Sequence, residues 1–382
     1  MTVLYLIPAT YRPAGMERVL ANKANWLARQ VDAQGQPEYD IIIATSDQNG
    51  RPSAFQLDQR IRTVDLEINY EENNGQSFLN KLIHYPGKQL RHRSRLKALI
   101  RKEKPDIVVS MFCNDEGFVP SIANGAKTVL EIHFSRFKRL QYGRKGFWAL
   151  ADRLRSKMDL RTASRFDRFV VLTEEDSGYW GNLPNLTVIP NARTFTVDSP
   201  ATLDSKTVIA VGRYNFQKQF ETLIDAWKLL AKEFSDWTLR IAGDGEERAF
   251  LERRIADYGL QGSVILGPEV DMKSAYLNSS ILAMSSRYEG LPMVLLEAQA
   301  CGLPIVSFAC KCGPKDVVSD GVDGFLVEEG NTTDLADKLF TLMADKDLRK
   351  SMGAAAYKAS ERYDENEIMA RWEALFNELT TE

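Results

Sequence analysis

Four cysteines and three histidines in 382 residues leave this chain few of the ligands that metal centres and disulfide frameworks need. Cys310 and Cys312 form the only close cysteine pair, and no second Cys or His cluster stands near them in the sequence. A structural zinc site therefore lacks ligands, and the thiols are expected to be reduced and uncoordinated. An Asp-x-Asp metal motif is also missing: Asp345-Lys346-Asp347 lies between two helical patterns and reads as a surface turn, so no metal cofactor is expected. No apolar run approaches the ~18 residues that cross a bilayer, and no basic residue precedes the apolar stretch at Met1 to Leu6. These two absences predict a cytosolic protein. The formal net charge is only −3, and no nucleic-acid motif accompanies the basic residues, so nucleic acid is not an expected partner. There is no short-period repeat and no low-complexity tract.

What the chain does have is alternation. Strand-like apolar runs at residues 3–9, 40–44, 106–111, 127–132, 169–172 and 186–189 are separated by longer helical patterns. A second series follows at 207–211, 238–242, 263–266, 281–284, 304–308 and 324–327. Strands alternating with helices argue for βαβ units and parallel sheets, and two series imply two Rossmann-like domains. Between them, residues 191–205 form a polar, proline-containing connector without helical period. The spacing of Ile368, Met369, Trp372, Leu375, Phe376 and Leu379 predicts a terminal helix with one apolar face over 365–379.

The most informative stretch runs from Ser285 to Ala298. Pro292 suits a first helical position, and Gly290 permits a tight turn before it. The helix should then begin near 292, leaving amides around Met293, Val294 and Leu295 as a seat for a phosphate. Glu289 and Glu297, eight positions apart, flank that seat. Carboxylates accept hydrogen bonds from sugar hydroxyls, so the order acid, phosphate seat, acid suits a sugar, a diphosphate and a ribose in line. That is the outline of a nucleotide sugar.

Glu289 and Glu297 match the E-x7-E motif of retaining GT-B glycosyltransferases, and the chain resembles glycosyltransferase family 4. The resemblance is carried in order by Ala14-Gly15-Met16-Glu17-Arg18, Glu131-Ile132-His133, Ile189-Pro190-Asn191, Val211-Gly212-Arg213 with Lys218, Gly243-Asp244-Gly245, Ala300-Cys301-Gly302-Leu303-Pro304, and Asp320 to Val327. It implies an α/β GT-B fold, with two Rossmann-like domains facing across a cleft and a C-terminal helix crossing back to the N-terminal domain. The implied divisions are 1–195 for the acceptor-binding domain, 196–360 for the nucleotide-sugar-binding domain and 361–382 for the crossover helix.

Roles follow from the same resemblance. Arg213 and Lys218 would neutralise the charge growing on a departing nucleoside diphosphate without a metal. Glu289 would orient the transferred sugar, Glu297 would accept from the ribose hydroxyls, and His133 would contact the donor sugar. Gly15 would let backbone approach a phosphate, and Gly243 would turn a strand into a helix beside the donor. Val270, within 268–271, would hold the base through backbone contacts. This chain departs from the family pattern at Ala14, where a second glycine is common, and at Gln219, where glycine is usual. The implied reaction is same-side displacement through an oxocarbenium-like ion pair, with the diphosphate helping to deprotonate the acceptor hydroxyl. Residues Phe308 to Asp316 resemble bacterial members that build lipid-linked oligosaccharides, capsules or exopolysaccharides. That points to a UDP-hexose or UDP-N-acetylhexosamine donor and a glycan or lipid-linked acceptor. Two competing readings are a nucleotide-sugar 2-epimerase of the same fold and a catalytically inactive nucleotide-sugar-binding protein.

Charge divides along the connector. Residues 1–195 hold 29 Lys and Arg against 21 Asp and Glu, whereas 196–382 hold 20 against 31. The basic excess concentrates in 81–168, with 21 basic and 8 acidic residues. Arg91, Arg93, Arg95 and Lys97 surround a core stripe of Leu96, Leu99 and Ile100, and Arg136, Lys138 and Arg139 interleave with aromatic residues. Such a surface suits an anionic membrane, a diphosphate-bearing acceptor, or solvent alone.

Overall fold

In the computed structural model, which describes residues 1–73, 78–138, 146–268 and 271–381, the two strand series form two separate, wholly parallel sheets. The chain divides into two units, Met1–Leu172, Trp180–Ile189 and Ile368–Glu382 in the first, and Thr173–Tyr179 with Pro190–Glu367 in the second.

The first unit contains β1 (Thr2–Ile7), α1 (Gly15–Arg29), β2 (Asp40–Thr45), β3 (Arg62–Asp65), α2 (Phe78–Glu103), β4 (Ile107–Ser110), α3 (Val119–Ile122), β5 (Lys127–Glu131), α4 (Phe147–Ala163), β6 (Arg168–Val171) and β7 (Leu186–Val188); α5 (Glu174–Trp180), which follows β6 in the chain, belongs to the second unit except for Trp180. Its seven strands run in the order β3-β2-β1-β4-β5-β6-β7. Residues 3–7 and 41–45 are buried throughout, as strands covered on both faces by helices must be. The sequence reading misses β3. Arg62-Thr-Val-Asp65 is a partly exposed edge strand without an apolar run, and Arg62 anchors it to Asp40 at 2.7 Å and to Glu103 at 2.5 Å.

The second unit contains β8 (Thr207–Val211), α6 (Phe220–Leu230), β9 (Thr238–Ala242), α7 (Arg248–Asp257), β10 (Val264–Gly267), α8 (Met272–Leu277), β11 (Ile281–Met284), α9 (Met293–Ala300), β12 (Ile305–Phe308), α10 (Pro314–Val317), β13 (Gly324–Val327), α11 (Thr332–Ala344) and α12 (Lys346–Ala359). Its strand order, β10-β9-β8-β11-β12-β13, is the doubly wound 3-2-1-4-5-6 arrangement. The connector 191–205 belongs to this unit. Arg193 reaches Asp364 at 2.7 Å and Ser360 at 3.0 Å, and the Ala201 amide donates to the Cys301 carbonyl at 2.8 Å.

The last helix, α13 (Glu365–Thr381), buries the six apolar residues the spacing predicts, and from Ile368 onward it is part of the first unit. Trp372 packs on Phe376 with ring centroids 5.6 Å apart and carries the Lys23 ammonium 3.5 Å above its ring. All four cysteines are free and buried. Among the described residues no helix is long and apolar enough to cross a membrane, and no group of three His, Cys, Asp or Glu side chains could hold a metal ion.

Candidate active site

In a doubly wound sheet, the two central strands send their following loops to opposite sides, and a crevice opens at their carboxyl ends. In the second unit these strands are β8 and β11, and the loops are 212–219 and 285–292. The sequence-predicted residues Arg213, Lys218, Glu289 and Gly290 all fall on them.

Lys218 Nζ meets Glu289 Oε1 at 2.7 Å, and both side chains are largely buried. Gln217 Nε2 donates to the Tyr288 carbonyl at 2.9 Å and stands 3.4 Å from Glu289 Oε2. The loops are stitched further by the Arg287 amide on the Gln217 carbonyl at 2.9 Å and by Ser285 Oγ donating to the Lys218 carbonyl at 2.9 Å. Arg213 is exposed and forms no hydrogen bond or ion pair among the described residues. Of the two cations that the sequence singles out, Lys218 is thus paired and Arg213 is not.

Gly243 has a packing reason to be glycine. A Cβ there would stand 1.9 Å from the Gly212 carbonyl oxygen, so the loops after β8 and β9 touch backbone to backbone. Tyr214 locks that contact: its hydroxyl donates to the Ile241 carbonyl at 2.6 Å and accepts from the Gly267 amide at 2.9 Å.

The start of α9 differs from expectation by one residue. Pro292 is the N-cap, with φ −72 and ψ 106, and Met293 is the first helical residue. The Leu295 amide already donates to the Pro292 carbonyl at 3.0 Å, while the Met293 and Val294 amides find no such backbone partner among the described residues. Gly290 does not have a positive φ. The tight backbone next to Pro292 is instead supplied by Gly313, whose φ is 99 and where a Cβ would lie 2.3 Å from the Pro292 ring.

Glu297, in the second turn of α9, is held at both oxygens. Thr194 Oγ1 donates to one at 2.9 Å and the Tyr276 hydroxyl to the other at 2.9 Å. Burial, followed by the Glu297 charge, pushes the neighbouring Cys301 thiol up to about 12, so this cysteine stays protonated. Thr194 and Tyr276 escape the sequence reading. Neither belongs to a motif, and Thr194 lies 103 residues from its partner.

On the first unit, Gly15 opens α1 after Ala14, and a Cβ at Gly15 would meet no atom within 4 Å. His133 follows β5, with Nε2 3.1 Å from Glu131 Oε1. Glu131 also receives Lys23 Nζ at 2.6 and 2.7 Å. Burial raises the Glu131 carboxyl, but the charges of Lys23 and His133 and their hydrogen bonds more than reverse this and hold it at about 2. This buried ion pair is another feature that the sequence reading misses.

The proposed basic patch is only partly available. Arg91 and Arg93 are exposed on α2, and Lys97 is half-buried. Arg95 instead binds the Leu66 and Glu67 carbonyls and the Glu67 carboxylate. Arg136 bonds Ser156 and stacks 4.6 Å over Trp180, and Lys138 lies 4.6 Å over Phe134. Arg136 and Lys138, both half-buried, serve the fold, whereas Arg95 is bonded but stays exposed. Arg139 and Val270 lie outside the described residues.

Two family models match the chain in succession, "Glycosyltransferase Family 4" over residues 13–193 and "Glycosyl transferases group 1" over residues 193–359. The chain belongs to glycosyltransferase family 4. It is 36% identical over 222 residues to the amylovoran biosynthesis glycosyltransferase AmsD of Erwinia amylovora, a match covering 55% of this chain and 62% of that protein. The chain thus spans less than two thirds of that relative's length. It is 23% identical over 384 residues, 99% of each chain, to a Campylobacter jejuni alpha-1,4-N-acetyl-D-galactosaminyltransferase named for a diNAcBac-PP-undecaprenol-linked substrate. Among solved structures, TarM of S. aureus in complex with fondaparinux, alpha-GlcNAc-glycerol and UDP superposes with a TM-score of 0.76 at 16% identity, covering 98% of this chain and 99% of that one. The fold is accordingly GT-B.

Proposed function

We propose that this glycosyltransferase is a retaining, metal-independent enzyme that moves a hexose or N-acetylhexosamine from a UDP-sugar to a hydroxyl of a lipid-linked glycan in bacterial surface-polysaccharide synthesis. The observation that carries the reading is the convergence at the β8/β11 switch point of Arg213, the Lys218–Glu289 pair, two α9 amides without a backbone partner and a Glu297 oriented by Tyr276 and Thr194. AmsD and the Campylobacter transferase support the pathway and the lipid-linked acceptor, and the UDP bound by TarM supports the donor.

In this reading Glu297 accepts from the ribose hydroxyls, while Arg213, Lys218 and the Met293 and Val294 amides face the diphosphate. Glu289 orients the sugar. The bond between sugar C1 and the diphosphate oxygen breaks with its electron pair going to the diphosphate. The acceptor oxygen then bonds C1 on the same face, and its proton passes to a leaving phosphate oxygen. Fixed cations and helix amides stabilise charge that grows only as that bond breaks, which is why they act on turnover.

A thermal-shift panel of nucleotide sugars tests the donor. A ligand at 100 times its Kd stabilises by about 2.7 kcal/mol, so the matching UDP-sugar should raise Tm by several degrees. Turnover should persist in EDTA. No shift with any UDP-sugar, or activity lost on chelation and restored by Mn²⁺ or Mg²⁺, would contradict the proposal.

A further inference from the structure

Among the described residues α4 is turned inside out for a helix on a water-soluble unit. Its inward face carries Asp152 and Ser156, both buried, along with Leu160 and Ala163. Its outward face carries Leu150, Leu154 and Met158, exposed to 56, 55 and 62%. These three are spaced i, i+4, i+8 and therefore form one continuous apolar ridge. Single exposed apolar residues are ordinary, but three in a row on one helix face are not.

A second, independent feature lies alongside. Arg153 and Lys157 each stand one position before a ridge residue, Arg161 follows at the same four-residue spacing, and all three are exposed. No ion pair offsets them among the described residues, and like charges at that spacing repel. A helix that bears both an unpartnered apolar ridge and a self-repelling row of cations is matched by one environment, the surface of an anionic bilayer. There the ridge enters the acyl boundary and the cations meet headgroup phosphates.

We propose that α4 is the element that docks this protein on an anionic membrane, with Leu150, Leu154 and Met158 inserted and Arg153, Lys157 and Arg161 on the headgroups. The inference rests on the lipid-linked acceptor proposed above and assigns a surface to it. It also displaces the earlier candidates, since Arg95, Arg136 and Lys138 are engaged by partners in the fold and, among its described side chains, α2 exposes Tyr85 and Leu90 but no row of three apolar residues at one spacing.

Flotation of the full chain tests this, using vesicles of phosphatidylcholine alone and of phosphatidylcholine with phosphatidylglycerol. Wild type should float with the anionic vesicles only, and less as salt rises, since the Debye length falls from about 10 Å at 0.1 M to about 3 Å at 1 M. Leu154→Gln with Met158→Gln should cut partitioning by about tenfold or more, with Tm and turnover of the soluble donor unchanged. Replacing Arg153, Lys157 and Arg161 with Gln, ridge intact, should abolish the preference for anionic lipid. If the ridge variant floats like wild type while Arg91→Gln with Arg93→Gln does not, the surface is α2 and the inference falls, though the lipid-linked reading stands. If wild type floats with neither vesicle, both fall. A dimer seen by sedimentation and lost in the ridge variant, without flotation, would make a second copy the occupant and overturn the inference.

Discussion

At Glu297 the carboxylate is held by two hydroxyls before any ribose needs it, so its loss and the loss of its supports should differ in degree. Glu297→Gln keeps the shape but weakens charge-assisted hydrogen bonds, and kcat/KM is expected to fall by roughly 1.5–3 kcal/mol. Tyr276→Phe removes one 2.9 Å donor and should raise the donor KM by about 1 kcal/mol, leaving kcat nearly unchanged. Initial rates over a donor concentration series check both, and an unchanged KM in each would remove the ribose assignment. Residues of this kind divide in how far the sequence shows them. Glu289, Glu297, Arg213 and Lys218 stand beside glycines and helix starts in a recognisable order. Tyr276 and Thr194 act only through a contact made in three dimensions, which leaves no local pattern. The Lys23–Glu131 pair is hidden for the same reason, with 108 residues between its members.

Among the elements, β5 and α1 are joined by that pair. Glu131→Gln would leave the Lys23 ammonium buried without a countercharge and should cost about 3–5 kcal/mol, whereas Lys23→Met with Glu131→Leu should recover much of it. The folded-state carboxyl lies below its ordinary value of 4.5, so its contribution is fully present above about pH 4.5 and is lost as pH falls toward 2. Denaturant midpoints across that range, for wild type and for the double variant, measure it. A wild-type midpoint no more acid-sensitive than the double variant would contradict the assignment. The start of α9 offers a second element-scale test: Gly313→Ala would press a methyl against the Pro292 ring at a positive φ, and donor binding should weaken together with Tm. Most strands were legible because buried parallel strands read as apolar runs. β3 was not, since an edge strand held by Arg62 ion pairs needs no such run. The α9 boundary moved by one residue because proline serves as a cap there.

Over the whole molecule, two doubly wound sheets and a strong charge asymmetry were readable from the spacing of apolar runs and a count of residues. Which basic residues are available was not readable, because Arg95, Arg136 and Lys138 are engaged in contacts that the sequence does not display. The nucleotide-sugar assignment places Arg213, Lys218, Glu289 and Glu297 within the second unit alone, so the decisive variable is turnover at that switch point. The most direct measurement is steady-state transfer from the UDP-sugar selected by the thermal-shift panel, comparing wild type with Lys218→Ala alongside UDP affinity by titration calorimetry. Removing a preorganised charge that acts on the leaving diphosphate should lower kcat by about 10²-fold or more while UDP affinity changes less. A variant that turns over at the wild-type rate, or one that loses UDP binding with kcat intact, would contradict the account.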